Sequence, residues 1–337
     1  MSRSAAPPSC LRPGAHVLVT GGAGFIGSHL VELLLRQGCS VQVLDDLSTG
    51  SRDNLAHLDG NPGFRVSIGS AADGQTVAAA MRGADAVFHL AGAVGVRWLA
   101  DQPLLVMQRN LRCTEVVLAA AAKTAVPILI ASSSEVYGDG PVPFREQDPV
   151  RPGSTEGLRG GYACAKAMGE WLAMAHARQH QLPVVVARLF NTVGPRQSAR
   201  MGMVLPRFLD QGLRGEPITV YGDGAQTRCF AYVGDVVRAL AGLLATPAAR
   251  GRVFNVGSDR EVTVKALAEL VRQATGSRSA IVRVPLEEVF PRGFLDPPRR
   301  VPCLQRLRDV LGWVPDTRIE NVVGELATAG MDQQVGA

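Results

Sequence analysis

The sequence predicts an α/β fold: a doubly wound parallel sheet with a smaller lobe intertwined with it toward the C-terminus. Three observations predict this. Continuous apolar runs alternate with helical stretches over the first 190 or so residues, the pattern of parallel strands covered on both faces. A glycine-rich turn, TGGAGFIGSH (20–29), sits between the first apolar run and the first helical one, where a helix N-terminus can hold a phosphate. After residue 191 the texture changes to short elements punctuated by proline and glycine.

Taken in order, HVLVTG (16–21) reads as a strand and SHLVELLLRQG (28–38) as a helix stopped by Gly38. VQVLDD (41–46), FRVSIG (64–69) and DAVFHLAG (85–92) read as strands, with a helix over TVAAAMRG (76–83). A helix over about 103–124 precedes the strand VPILIA (126–131), which runs into the polar segment SSSEVYG (132–138). Another helix, from Gly161 to about His180, precedes LPVVVARLFN (182–191). A helix over about 233–246 and the strand VFNVG (253–257) are expected to return to the sheet. VTVKALAELVRQATG (262–276) has helical amphipathicity and a glycine stop, and PPRRVPCLQRLRDVLGW (297–313) combines a Pro/Arg turn with a short helix. The expected division is a flexible tail over 1–14, a Rossmann-type dinucleotide-binding domain over 15–190 rejoined by 233–258, and a second lobe from 191–232 and 259–330.

Composition narrows the partners. The 337 residues are 46% hydrophobic, yet no apolar run reaches the length of a membrane span. The first residues, MSRSAAPPSCLRPGA, lack the apolar core of a signal peptide. Six cysteines (10, 39, 113, 164, 229 and 303) form no CxxC pair, which argues against a zinc site or a disulfide framework and for a reducing cytoplasmic location. No metal is expected. The net charge is +5, but no Lys/Arg cluster alternates with aromatics, so nucleic acid is not an expected partner. Only three lysines occur, at 123, 166 and 265. Each merits attention, because the environment can tune a lysine pKa and not an arginine one.

Gly21, Gly24 and Gly27 carry the dinucleotide reading. Gly21 makes the tight turn, Gly24 lets backbone approach a pyrophosphate, and Gly27 permits close helix–strand packing. Asp45 ends the next strand, about twenty residues on, where a carboxylate binds adenosine ribose hydroxyls. With Asp46 beside it, a 2′-phosphate is repelled, and NAD rather than NADP is the expected cofactor. Phe25 and Ile26 in the same turn, Ser48, Thr49 and Gly50 after the second strand, and Leu90 and Ala91 after the fourth complete the expected cofactor contacts.

Tyr162 and Lys166 are four apart on an expected helix and so share a face. A nearby ammonium favours phenolate, making tyrosine a base able to take a proton from a sugar hydroxyl. Ser133, at a strand end, is placed to bond and orient the same hydroxyl.

With TGGAGFIGSH, HLAG, SSSEVYGD, YACAK, RLFNTVGPRQ, VYGDGAQTRCF and PRRVP all present, the chain from His16 to about Trp313 resembles the extended short-chain dehydrogenase/reductases that act on nucleotide sugars. The resemblance implies tightly held NAD, oxidation of the sugar at C4, chemistry on the ketone and, usually, return of the hydride. It implies that Asn191 and Arg228 contact the UDP part, and that the PRFL stretch (206–209) with Arg207, and Tyr221, line the uracil and ribose. It also implies a homodimer, through a four-helix interface of the helices near 103–124 and 161–180.

The same resemblance bears on the reaction. In similar 4,6-dehydratases an Asp–Glu pair occupies the places of Ser134 and Glu135; in similar 4-epimerases the position of Glu135 is usually small and uncharged. Ser134–Glu135, read with Arg300 in an Arg–x–Pro turn, resembles UDP-glucuronic acid decarboxylases. That implies NAD-dependent decarboxylation through a UDP-4-keto intermediate, giving UDP-xylose or UDP-4-keto-pentose. In this reading Tyr162 is the C4 base, Lys166 depresses its pKa and grips the nicotinamide ribose, and Ser133 orients the 4-hydroxyl. Ser134 and Glu135 position the sugar and manage protons near C5, and Arg300 binds the carboxylate or relays the proton. The chain departs from the family pattern at Ser70, where an aspartate often follows the glycine and here comes only at Asp73. It departs again at Asp46, where Asn is common, and in AGAVGVRW (91–98), which is closer to epimerase loops. A 4-epimerase of UDP-glucose or UDP-glucuronate is the alternative, and a non-catalytic NAD-binding protein the third reading.

Overall fold

The computed structural model describes residues 11–156, 158–199, 202–290 and 297–335. Strands and helices alternate from the start: β1 (His16–Thr20), α1 (Phe25–Arg36), β2 (Ser40–Asp45), β3 (Phe64–Ile68), α2 (Gly74–Ala80), β4 (Ala86–His89), α3 (Val96–Asp101), α4 (Pro103–Thr124), β5 (Ile128–Ser133), α5 (Leu158–His180) and β6 (Val184–Leu189). Then come β7 (Thr192–Val193), α6 (Val204–Leu213), β8 (Ile218–Tyr221), β9 (Thr227–Cys229), β10 (Ala231–Tyr232), α7 (Val233–Ala245) and β11 (Arg252–Val256).

Seven of these strands form one parallel sheet in the order β11-β6-β5-β4-β1-β2-β3. Leu18 faces Gln42 on one side and Val87 on the other, and Ser133 at the end of β5 faces Leu189. The central strands are continuous apolar runs because helices cover both faces; β4 is buried throughout. The edge strand β3 is only half covered and leaves Ile68 exposed. The order reverses direction at β1, so β1 and β4 flank the crevice in which a doubly wound sheet takes its ligand. As the apolar pattern of VFNVG implied, β11 pairs with β6, from Arg252↔Val185 to Val256↔Leu189.

The rest of the chain adds β12 (Glu261–Thr263), α8 (Val264–Ala274), β13 (Ile281–Val284), α9 (Leu286–Val289), α10 (Gln305–Leu311) and α11 (Ile319–Val335). The helix expected to begin at 262 begins at 264, because Val262 and Thr263 pair with β9 and the Thr263 hydroxyl caps the helix at Ala266 N. A β-branched pair ending in a capping residue favours that outcome. A second core gathers Val193, Phe208, Ile218, Leu267, Val271 and Val323. α10 does not join it. Leu307 and Trp313 pack instead with the core on one face of the sheet, so this part of 259–330 lies with the sheet rather than with the second lobe. The stretch before it is a strap: Pro298 O accepts from Thr227 N, Val301 O from Phe144 N, and Phe144 O from Cys303 N. The described residues include no helix long and apolar enough to cross a membrane.

Candidate functional site

A cleft of about 890 Å³ lies at the C-terminal ends of the sheet strands and extends along the second lobe. Its cofactor end is built by the glycine turn. Gly21 has φ +73°, and a Cβ there would lie 2.6 Å from Ala91 N; a Cβ on Gly27 would lie 2.1 Å from Gly21 O. Gly24 is different. A Cβ on it would meet only Gly21 O, at 3.2 Å, so the side it presents to the cleft is open. α1 begins there with no side-chain cap, leaving its first N–H groups for an anion.

Asp45 is buried at the end of β2, where Oδ2 accepts from Ala23 N (2.9 Å) and Oδ1 from Leu47 N (2.8 Å). Burial raises its pKa, against the two backbone N–H bonds that lower it. Asp46 is more open and accepts from Ser48 N and Oγ. Both line the cleft. So do Phe25 and Ile26, the Ser48–Thr49–Gly50 run, and Leu90 with Ala91. An open glycine, uncapped helix N–H groups and an acid at the end of β2 are the donor and acceptor set that an NAD molecule needs, and they stand on one wall. Asp73, the displaced acid of the sequence pattern, serves elsewhere: it caps α2 at Gln75 N and Thr76 N.

The reacting groups lie where β5 and α5 meet. Ser133 ends β5, and its hydroxyl accepts from Glu135 N at 3.2 Å. Tyr162 and Lys166 are one turn apart on α5, both reach the cleft, and Tyr162 bonds to Ser133. Burial pushes the Tyr162 phenol up; the Ser133 hydroxyl opposes this and the Glu135 charge adds to it. Burial, and not the expected depression by Lys166, thus sets the direction for the phenol. Lys166 donates to Ala131 O at 3.1 Å, and burial lowers its own pKa to about 8, with Cys113 and Glu170 acting the other way.

Ser134 and Glu135 follow on the cleft wall. Arg300 is not on that wall. It is buried behind Glu135, and its Nη2 donates to Oε2 at 2.8 Å. The sequence reading placed Arg300 against substrate; the structure places it against the carboxylate that faces the cleft, because a part-buried acid needs a counter-charge. Arg299 turns the other way, to Glu261 at the surface.

A buried network that the sequence did not reveal supports this corner. Ser132 donates to Glu170, and Glu170 takes a bidentate bond from Arg188. The Arg188 guanidinium lies 4.7 Å over the Tyr137 ring, and Tyr137 donates to Asn255. Glu170 lies one turn beyond Lys166, so the Tyr162–Lys166 spacing could have found it. Asn110, buried in α4, donates to Ala93 O and Val106 O. Its Oδ1, with no partner among the described residues, borders Gly92 together with the Lys166 ammonium. Arg109, outside every quoted motif, and Arg196, in RLFNTVGPRQ but given no role there, also line the cleft.

The far end belongs to the second lobe. Asn191, Arg207, Tyr221 and Arg228 all line it. The Arg207 guanidinium lies 3.6 Å over the Tyr221 ring while Nη2 donates to Thr219 O, and burial lowers its pKa. Asn191 donates to Cys229 O, and Arg228 to Thr227 O. Two arginines on a half-apolar wall suit a diphosphate beside a planar base.

Known proteins resemble this chain over most of its length. The chain is 38% identical to the UDP-N-acetyl-alpha-D-glucosaminuronate decarboxylase of Bacillus cytotoxicus, over 91% of this chain and 95% of that one. It is 35% identical to UDP-glucuronic acid decarboxylase 1 of Arabidopsis thaliana, over 90% and 67%. Among solved structures, the UDP-glucuronic acid 4-epimerase of Bacillus cereus, in complex with UDP-glucuronic acid and NAD, superposes with a TM-score of 0.84 at 25% identity, over 95% of this chain and 99% of that one. The NAD dependent epimerase/dehydratase family matches residues 17–257. With the glycine turn, the acid ending β2 and the Ser–Tyr–Lys corner in one cleft, the chain belongs to the NAD dependent epimerase/dehydratase family.

Proposed function

We infer that the chain is an NAD-dependent decarboxylase of UDP-glucuronic acid that works through a UDP-4-keto intermediate. The observation that carries this is Glu135, set on the cleft wall next to the Ser133–Tyr162 pair and ion-paired to the buried Arg300, in a chain similar to decarboxylases over nine-tenths of its length. When bound, NAD accepts the C4 hydride and can return it. As phenolate, the form that the positive nicotinamide of bound NAD and the Lys166 ammonium favour against the burial that raises its pKa, Tyr162 takes the C4 hydroxyl proton, and Ser133, bonded to Tyr162, aligns that hydroxyl. The C4 ketone makes the C6 carboxylate that of a β-keto acid. As the C5–C6 bond breaks, its electron pair moves into an enolate and CO2 leaves. The Tyr162 and Ser133 hydroxyls stabilise the enolate oxygen by hydrogen bonding. A proton added at C5 completes the step. Ser134 and Glu135 orient the ring and manage that proton, and Arg300 positions Glu135. Lys166 fixes the strand end through Ala131 O and supplies positive charge beside the cofactor. Asn191, Arg207, Tyr221 and Arg228 hold the UDP moiety.

A hexuronate bearing a 2-acetamido group is a second candidate substrate, favoured by the 38% identity to the Bacillus cytotoxicus relative. The test is to incubate the protein with UDP-glucuronate, UDP-N-acetylglucosaminuronate and UDP-glucose, with and without added NAD, and follow products by NMR. A pentose product from either uronate supports decarboxylation. An unchanged carbon count with inverted C4 would sink it and favour the epimerase.

The assembly proposed is a homodimer in the cytoplasm. α4 and α5 pack together and leave Leu104, Met107, Leu111, Met168 and Trp171 exposed, an apolar face that a second copy would cover. The free thiols of Cys113 and Cys229 suit a reducing compartment.

A further inference from the structure

Arg109 is out of place in an NAD site. It lies on α4 and lines the cofactor end of the cleft, with Nη1 3.5 Å from Asp46 Oδ2. Both side chains are about one-third exposed (35% and 33%), so a bound ligand can reach either. A guanidinium beside the ribose-binding acid is the group that accommodates the 2′-phosphate of NADP, and its forked donors match phosphate oxygens. Left free, Arg109 would work against selection of NAD.

Asp45 does not hold it in check. It is buried, and its two oxygens accept from Ala23 N and Leu47 N. Asp46 is arranged otherwise. Its Oδ1 is fixed by the Ser48 N–H and hydroxyl, which leaves Oδ2 facing Arg109. We propose that Asp46 is a specificity-determining residue that acts through Arg109, occupying a latent 2′-phosphate site so that the cleft retains NAD. Asp45 alone supplies the ribose contact, and the Asp46–Arg109 pair supplies the discrimination. The inference concerns the cofactor and is independent of which sugar the chain takes.

Retention of nucleotide tests it without reference to turnover. The protein is equilibrated with an equimolar mixture of NAD and NADP, desalted and denatured, and the released nucleotides are quantified. Asp46→Asn should raise the retained NADP:NAD ratio about tenfold, the size of one well-placed charge contact. Asp46→Ser provides the same removal with a different side chain. Adding Arg109→Ala to either variant should return the ratio to near that of the unaltered protein. An unchanged ratio in both single variants would overturn the proposal, and so would a gain in NADP that survives loss of Arg109.

Discussion

Arg300 meets Glu135 from behind. The bond is 2.8 Å long, and the arginine side chain is 5% exposed against 22% for the glutamate, so the acid is the only one of the two on the cleft wall. The charge presented to the cleft is that of Glu135, held in place by a cation set behind it. Removing one partner of such a pair leaves the other charge uncompensated, at a cost of about 3 kcal/mol. Arg300→Met should therefore lower stability by roughly that amount, and Arg300→Met with Glu135→Gln should recover most of it. Urea denaturation of the two variants checks this; equal losses in both would show that the pair carries no coupling.

Glu135→Gln keeps the shape of the side chain and removes its charge. Ser133, Tyr162 and the glycine turn are untouched, so NAD retention should be unchanged while release of CO2 falls about 100-fold, the ordinary scale for an acid–base group. Trapping labelled CO2 from C6-labelled UDP-glucuronate measures the loss. Decarboxylation at the unaltered rate would take Glu135 out of the mechanism.

Lys166 is a stability cost. Its pKa falls from 10.5 to about 8 on folding, chiefly through burial. The unfolded chain thus binds more protons between those values, and stability contributed at this site rises with pH from about 8 to 10.5. Below pH 8 the penalty is complete, at about 3 kcal/mol. Lys166→Met should be more stable than the unaltered protein at pH 7, and the difference should shrink toward zero by pH 10.5. Thermal or denaturant melts of nucleotide-free protein across that range measure it; a gain that grows with pH would contradict the sign.

The exposed face of α4 and α5 yields a prediction about assembly. Trp171→Glu with Leu104→Glu places charge in the middle of the apolar patch, which a second copy would have to bury unpaired. Sedimentation velocity should then show monomer in place of dimer. An unaltered sedimentation coefficient would remove this face from the interface.

Much of this was legible because it repeats at short range. The strands of the sheet announce themselves as apolar runs, and α4 begins and ends where its proline and its apolar pattern place it, over 103–124. Gly21, Gly27, Asp45, Tyr162 and Lys166 stand at spacings that one turn or one strand imposes. What the sequence hides is long-range partnership. Nothing near Glu135 in sequence shows that Arg300 lies behind it and not across the cleft, since the two are separated by 165 positions. The Glu170–Arg188 pair and the Asp46–Arg109 pair are hidden for the same reason. The Tyr162 reading failed on environment: proximity on a helix suggests a lowered pKa, but burial outweighs it. β12 was missed because a pairing of three residues with β9 has too few positions to leave a period.

The strap over 297–303 has a consequence for motion. One stretch of backbone is bonded to Thr227 in the second lobe and to Phe144 beside the sheet, and it carries Arg300 between those two attachments. The walls of the cleft are thus tethered to each other through the residue that steadies Glu135. Any breathing of the cleft must stretch that tether or detach one end of it, so access to the site and the placement of its acid are geared together.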